Sequence, residues 1–406
     1  MTSSRHVLDL PSDHPFSLHH LPYGAVSAGP DATPRLAVRV GDHALDLAAF
    51  AADTPWAGPL AAPVLNPFLE LGPSAWAGLR EHLSRALTDP ERRAEVEEHL
   101  RPLAGMTTHL PLEVRDYVDF YASEQHATNV GRIFRPEGEP LTPNWKHLPI
   151  GYHGRSSTIV VSGTDIPRPV GQRKAPSDPQ PTFGPSTKLD IEAELGFVVG
   201  GSTPLGSSVG IDEAADHLFG VALFNDWSAR DLQAWEYVPL GPFLGKSFAS
   251  SVAAWITPMA ALETARVELP PQDPRPLPYL TGSGAGLFGL DITMEVSLNG
   301  TVVSRPPYRQ MYWSPAQMLA HLTVNGARLS SGDLFASGTV SGTQREQRGS
   351  FLELSWNGTE PFTLPDGSEH TFLQDGDTVT ITATAPGPHG STLGLAEVTG
   401  TIRPTR

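Results

Sequence analysis

The 406-residue chain contains no cysteine. That excludes disulfides, thiol nucleophiles and zinc–thiolate centres. It also lacks any run of about 20 apolar residues, the length needed to span a bilayer. Its most apolar stretch, Ala44 to Leu65, is broken by Asp46, Asp53, Pro55 and Pro59. The opening text, Met1 to Phe16, has no apolar signal core. Positive charge is scarce: 28 Lys and Arg face 44 Asp and Glu, a net charge of −16. Such a chain repels nucleic acid phosphates and anionic lipid heads, and it tolerates cations. The expectation is a soluble cytoplasmic protein with neither nucleic acid nor membrane as partner.

Glycine and proline are plentiful, at 39 and 40 residues. That excess over average usage implies many turns and short strands, and argues against a coiled coil or helical array. The length allows two to three domains, or one large β-rich domain with a smaller companion. Residues 35–47 (RLAVRVGDHALDL) read as a hairpin about Gly41-Asp42. A helix opens after Pro73-Ser74, with Trp76, Leu79, Leu83 and Leu87 on one face. A second opens at Asp89-Pro90 and stops near Pro102. Together these make a small N-terminal module of about 110 residues, a usual domain size.

The character then changes. His109 to Trp145 is polar and aromatic without a clean period, and long irregular stretches are often functional. Thr158–Ser162 is a buried-strand candidate, Arg168–Pro185 a surface loop, and Leu189–Val199 an alternating strand. Asp212–Leu218 reads as a short helix and Val221–Asn225 as a short strand ending at Asn225-Asp226. Asn299-Gly300 marks a hairpin within Asp291–Ser304. Ser314-Pro315 caps a helix carrying Met318, Leu319 and Leu322, and Asn325-Gly326 ends it. Phe351 to Ile402 reads as three further strands.

Glu192 and Glu194, two apart on a strand, emerge on one face, joined by Asp190 if the strand includes it. Neighbouring anions raise one another's pKa, so either water or a cation faces them. An exposed acidic edge strand is the plain alternative. Asp226 ends an apolar strand, a usual place for a site residue, although a turn or cap would also explain it. Asp119 lies among aromatics. Hard carboxylates without Cys or an HxxxH pattern suit Mg²⁺, Ca²⁺ or Mn²⁺ and not zinc. His126 lies seven residues after Asp119, in text without apolar periodicity. Glu353, in SFLELSW, would face away from Leu352 and Leu354 on a strand, solvated or buried with a partner. Arg230 and Gln233, three apart, share one side of a short helix or turn. Lys246 follows Gly245, but a phosphate loop needs glycine at position 240, where Leu240 stands, so a nucleotide site is rejected.

Longer segments carry more information. DYVDFYASEQHATNVGRIFRP, PNWKHLPIGYHGRSSTIVVSG, LDIEAELGFVVG, FNDWSARDLQAWEYVPLGPFLGKSF, QDPRPLPYL, GDLFASGTVSG and GSFLELSWNGT, between Asp116 and Thr359, resemble the fumarylacetoacetase family. The resemblance implies a mostly β fold with some α. A small SH3-like barrel domain with helices, 1–115, would precede a larger mixed β-roll catalytic domain, 116–406, in a homodimer. It implies a hydrolase that cleaves a carbon–carbon bond of a 1,3-diketo acid, 4-fumarylacetoacetate, to fumarate and acetoacetate. The cofactor would be a divalent cation, Ca²⁺ or Mg²⁺, with Mn²⁺ a third option. By position, Asp119, Glu192, Glu194 and Asp226 resemble the metal ligands, with Lys246 and Ser250 at an adjoining metal contact. His126 resembles the general base and Glu353 its orienting carboxylate. Arg230, Gln233 and Lys246 resemble the oxyanion-stabilising groups. Tyr121, Arg135, Tyr152, Gln233, Tyr237 and Thr339 resemble substrate-positioning residues. The chain has Ala249-Ser250 where the family usually has Gly-Thr, and Ser250 keeps the hydroxyl. Gln344–Arg348 resembles the family poorly and is placed as a segment that moves over or covers the site.

Overall fold

The computed structural model describes residues 10–11, 14–175, 177–283 and 286–405, so most of the Met1–Phe16 text lies outside it. The fold is mostly β with some α. The N-terminal hairpin forms from Arg35–Val40 and His43–Asp46, with Gly41 at a positive φ of 60° in its turn. Tyr23–Ser27 pairs with Arg35–Val40 on one edge. Its other edge pairs with Thr107–His109 and with Trp255–Pro258. The N-terminal strands therefore continue into the sheet of the later sequence. The helix Pro73–Thr88 buries Leu79, Leu83, Ala86 and Leu87, as its spacing predicts. Asp89 then accepts from the Glu91 amide and starts the turn that leads into Arg93–His99.

At the centre lie Ala193–Val199 and Leu218–Asp226, antiparallel and buried along their whole length. Near-continuous apolar runs are the mark of strands covered on both faces. Leu218–Asp226 outruns the expected Val221–Asn225 at both ends. Ala193–Val199 lies between Leu218–Asp226 and Leu334–Ala336, so it is an interior strand and not an exposed acidic edge. The expected Leu189–Val199 strand is split. Leu189–Asp190 pairs separately with Ser228–Ala229, and Glu192 lies in the break.

A second sheet contains Thr293–Leu298, Thr301–Ser304, Thr378–Pro386 and Thr392–Arg403. Its first hairpin turns at Asn299-Gly300, both at positive φ, the geometry this pair favours. The two sheets meet at Trp227, which is fully buried. Gly400 lies so near that a Cβ there would stand 2.7 Å from the indole. The helix Pro315–Thr323 carries the expected Ser314 cap, reinforced by a reciprocal bond from Gln317.

Three expectations fail for identifiable reasons. His126 lies on an α-helix, Glu124–Phe134, with Ser123 as its cap. Its cleft-facing side carries Ala127, Val130 and Phe134 at helical spacing beside His126, a short stripe that the polar residues around it mask in the sequence. Phe351–Leu354, expected as a strand, is one turn of helix capped by Ser350. Its alternation is local, whereas two of its amides are held by the distant carboxylate of Asp190. Within Arg168–Pro185 the chain makes a largely exposed hairpin, Val170–Arg173 with Thr182–Pro185, where a loop was expected.

Candidate active site

The polar ends of several strands converge. Asp119 is on Tyr117–Phe120, which runs parallel to Leu334–Ala336 with Asp119 beside Ala336. Glu194 is on the interior strand, Asp226 ends its neighbour, and Ser250 pairs across from Asp226. One oxygen from each of Asp119, Glu192, Glu194 and Asp226 lies within 4.8 Å of the others, and all four residues are buried. Sequence separation of over a hundred residues is thus closed by sheet register.

This arrangement of anions is expensive unless charge is supplied. Burial and mutual repulsion push the Asp119 and Glu194 carboxyls well above the ordinary range. Burial also raises Asp226, against the pull of Lys246. Burial acts on Glu192 too, but Lys246, Arg230 and His126 hold its carboxyl below the usual value. The Lys246 ammonium bonds Glu192 and, at 2.9 Å, Asp226. Protonated in this way it offers no lone pair, so the contact expected of Lys246 as a ligand does not run through its ammonium. Asp226 also accepts from Ser250 Oγ at 2.8 Å and Tyr152 OH at 3.0 Å. Tyr152, expected at the substrate, is therefore committed to a carboxylate of the cluster as well as to the cleft wall. Ala249 has no positive φ, so its backbone needs no glycine.

Two oxygens decide whether a cation fits. Asp119 Oδ1 and Glu194 Oε1 are buried and have no hydrogen-bond partner among the described residues. Buried carboxylate oxygens are rarely left so. An all-oxygen set of this kind suits a hard divalent cation. The residues present therefore fit one.

His126 lies beside this cluster. Its Nδ1 is 2.7 Å from Glu353 Oε2, and its Nε2 is 3.8 Å from Glu192 Oε1. Glu353 is fully buried and also accepts from Asn129 on Oε1, and from Ser341 and Ser350 on Oε2. Burial would raise its carboxyl, yet the imidazole and these hydrogen bonds hold it below the ordinary range. The ring of Tyr121 meets His126 edge-on, centroids 5.4 Å apart.

A cleft of about 600 Å³ opens over these groups. Asp119, Glu192, His126, Arg230, Gln233 and Lys246 line its reactive end, and Tyr121, Arg135, Tyr152, Tyr237 and Thr339 its walls. Arg230 Nη2 is ion-paired with Glu192 Oε1 at 2.8 Å and has no aligned hydrogen-bond acceptor among the described residues, so an N–H remains to be used. The Thr339 hydroxyl is likewise buried, with no partner among the described residues. Gln233 Oε1 accepts from Arg230, leaving the amide NH₂ as its donor. Glu194, Glu353, Asp226 and Ser250 stand behind the wall; the last two border a smaller cavity of about 270 Å³.

Residues 344–348 do not line the cleft. Arg345 and Arg348 are bound to backbone carbonyls of Leu354 and Glu353, so this segment braces the Glu353 helix from behind and does not cover the site. Sequence reasoning missed Asn129, Ser341, Ser350 and Gly338, whose amide donates to Glu194 Oε2 at 3.0 Å. Asn129 falls three residues after His126, and Ser350 three before Glu353. Both spacings become visible only once those segments are known to be helical.

The family model described as fumarylacetoacetate (FAA) hydrolase C-terminal matches residues 116–402, and fumarylacetoacetase N-terminal matches 19–111. Fumarylacetoacetase of Homo sapiens is 45% identical over 411 residues, covering 97% of each chain. That of Arabidopsis thaliana is 42% identical over 423 residues, covering 100% of each. Among solved structures, a fumarylacetoacetate hydrolase of Exiguobacterium antarcticum superposes with a TM-score of 0.56 at 17% identity, covering 95% of this chain and all of that one. That likeness shows the fold alone; the two family models and the full-length relatives show more, and the chain belongs to the fumarylacetoacetase family.

Proposed function

We propose that this chain hydrolyses 4-fumarylacetoacetate to fumarate and acetoacetate, the last step of tyrosine and phenylalanine breakdown. The observation that carries the reading is the buried His126–Glu353 pair, whose free Nε2 faces Glu192 of the four-carboxylate cluster inside the cleft. Full-length relatives named fumarylacetoacetase support it.

Asp119, Glu192, Glu194 and Asp226 would hold a divalent cation, calcium or magnesium, with manganese a third option. Bound there, the cation supplies Lewis acidity to the diketone oxygens. His126 Nε2 takes a proton from water as the oxygen attacks the carbonyl next to the fumaroyl arm. Glu353 stabilises the imidazolium and fixes its tautomer through Nδ1. The Arg230 Nη2 N–H, the Gln233 amide and the Lys246 ammonium meet the alkoxide charge; losing one such donor costs roughly 3–4 kcal/mol in barrier. Carbon–carbon cleavage leaves a carboxylic acid on one fragment and an enolate on the other. The enolate is protonated to acetoacetate, which balances the added water. Arg135, with the tyrosine hydroxyls and Thr339, holds the substrate carboxylates.

We also infer that residues 1–115 form an SH3-like barrel and 116–406 the catalytic β-roll, and that the enzyme is a cytoplasmic homodimer. The matched spans, 19–111 and 116–402, support the division. Light scattering tests the dimer. The central experiment follows diketone absorbance with purified chain and fumarylacetoacetate, with and without chelator. Loss of absorbance only with metal is expected, and no turnover in any metal overturns the reading.

A further inference from the structure

Asp190 is a fully buried carboxylate outside the four-carboxylate cluster and absent from the cleft wall. Its oxygens take four donors. Oδ1 accepts the amides of Ile191 at 2.8 Å and Phe351 at 2.7 Å. Oδ2 accepts Arg230 Nε at 2.7 Å and the Leu352 amide at 3.0 Å.

Three of these donors, the Phe351 and Leu352 amides and Arg230 Nε, belong to two different parts of the reacting centre. Phe351 and Leu352 open the single helical turn that carries Glu353, and first-turn amides have no partner within their own helix. Asp190 supplies it from 160 residues away in sequence. Arg230 lines the cleft itself, and its Nη2 is the N–H left for developing charge. The pairing of Leu189–Asp190 with Ser228–Ala229 sets Asp190 beside Arg230. One carboxylate thus bridges the turn that orients the base and the guanidinium that meets the oxyanion.

We propose that Asp190 is a positioning residue that fixes the His126–Glu353 pair and Arg230 in a common frame. Attack and charge stabilisation act on one carbonyl, so the base and the oxyanion donor must be correct relative to each other. Misplacement by about 1 Å at a reacting centre costs on the order of 100-fold in rate. An amide in place of the carboxylate keeps the shape but turns an NH₂ group toward donors that need an acceptor. Either the turn or Arg230 then loses its anchor.

The inference rests on the hydrolase reading, and the wild-type enzyme tests that reading separately: if wild type has no turnover, the reading fails before Asp190 is at issue. With an active wild type, Asp190→Asn is expected to lower kcat by about 100-fold, with KM little changed and metal content by elemental analysis intact. Val38→Ala, in the buried N-terminal sheet, serves as a control that lowers melting temperature while keeping kcat. If Asp190→Asn does not fold, Asp190→Ser, which leaves room for a bridging water, carries the same measurement. Combined with Glu353→Gln and, separately, with Arg230→Lys, the losses should fall short of the product of the single effects in at least one pair, because Asp190 acts through the Glu353 turn or through the guanidinium. The proposal is overturned by a folded variant with wild-type kcat, by a loss that only tracks the unfolded fraction, or by fully multiplicative losses in both pairs.

Discussion

His126 Nδ1 and Glu353 Oε2 lie 2.7 Å apart, although 227 residues separate them in the chain. With Nδ1 engaged, only Nε2 remains to act, and it points toward Glu192. His126→Ala should therefore lower kcat by roughly 10²–10⁴-fold while the cation still binds. Glu353→Gln should lower kcat with little effect on KM. Steady-state kinetics with elemental analysis check both; a change in KM alone would reassign Glu353 to substrate binding.

Asp226 joins the cluster to Lys246, Ser250 and Tyr152. Asp226→Ala should remove both bound cation and activity. Unchanged metal content would take Asp226 off the ligand set.

Loading the cation has a proton cost. The Asp119 and Glu194 carboxyls, raised first by burial and then by their neighbours, hold protons more tightly than ordinary carboxyls when no cation is bound. They must release them to ligate, so affinity should rise with pH and binding should acidify a weakly buffered solution. Titration calorimetry in buffers of different ionisation enthalpy measures the protons released. Chelation should lower the melting temperature.

Acid should also destabilise the fold far from the cleft. Burial pushes the His20 imidazole down to about 3, with Nδ1 on Pro15 O and Nε2 on Thr257 Oγ1. In the unfolded chain histidine takes a proton near 6.5, so between about 6.5 and 3 the unfolded state binds more protons. Stability then falls as pH drops through that window, by about 2 kcal/mol from pH 7 to pH 5 for this group. Urea unfolding at the two pH values should show a smaller difference for His20→Gln; equal differences would contradict the assignment.

Gly338 has a φ of 75°, and a Cβ there would fall 2.1 Å from the Phe120 carbonyl. Its amide also holds Glu194. Gly338→Ala should cost more than about 1 kcal/mol from backbone strain alone and weaken cation binding. Thermal melts with and without metal separate the two effects.

Local chemistry was legible in the sequence. The Asn299-Gly300 turn, the Ser314 cap and the Pro73–Thr88 helix depend on residues within a few positions of one another, and each forms as expected. The four carboxylates and the His126–Glu353 pair came from resemblance, since no spacing ties Asp119 to Asp226. The turn at Phe351–Leu354 was misread because its period is that of a strand. Its helical form depends on Ser350 and on Asp190, and the second of these is invisible to any local window. The helix bearing His126 has only Ala127, Val130 and Phe134 as its apolar stripe, too short a pattern to stand out among the polar residues between them.

Tyr23–Ser27 closes the edge of Trp255–Pro258, with Gly24 opposite Trp255 and no room for a side chain at Gly24. The first hundred residues are thus a stopper on an otherwise open ladder. The rest of the chain produced alone would present bare amides, carbonyls and an indole to solvent, and would stick to its own kind. The two regions must accordingly change together, and a bulky replacement at Gly24 would be felt on the far side of the seam.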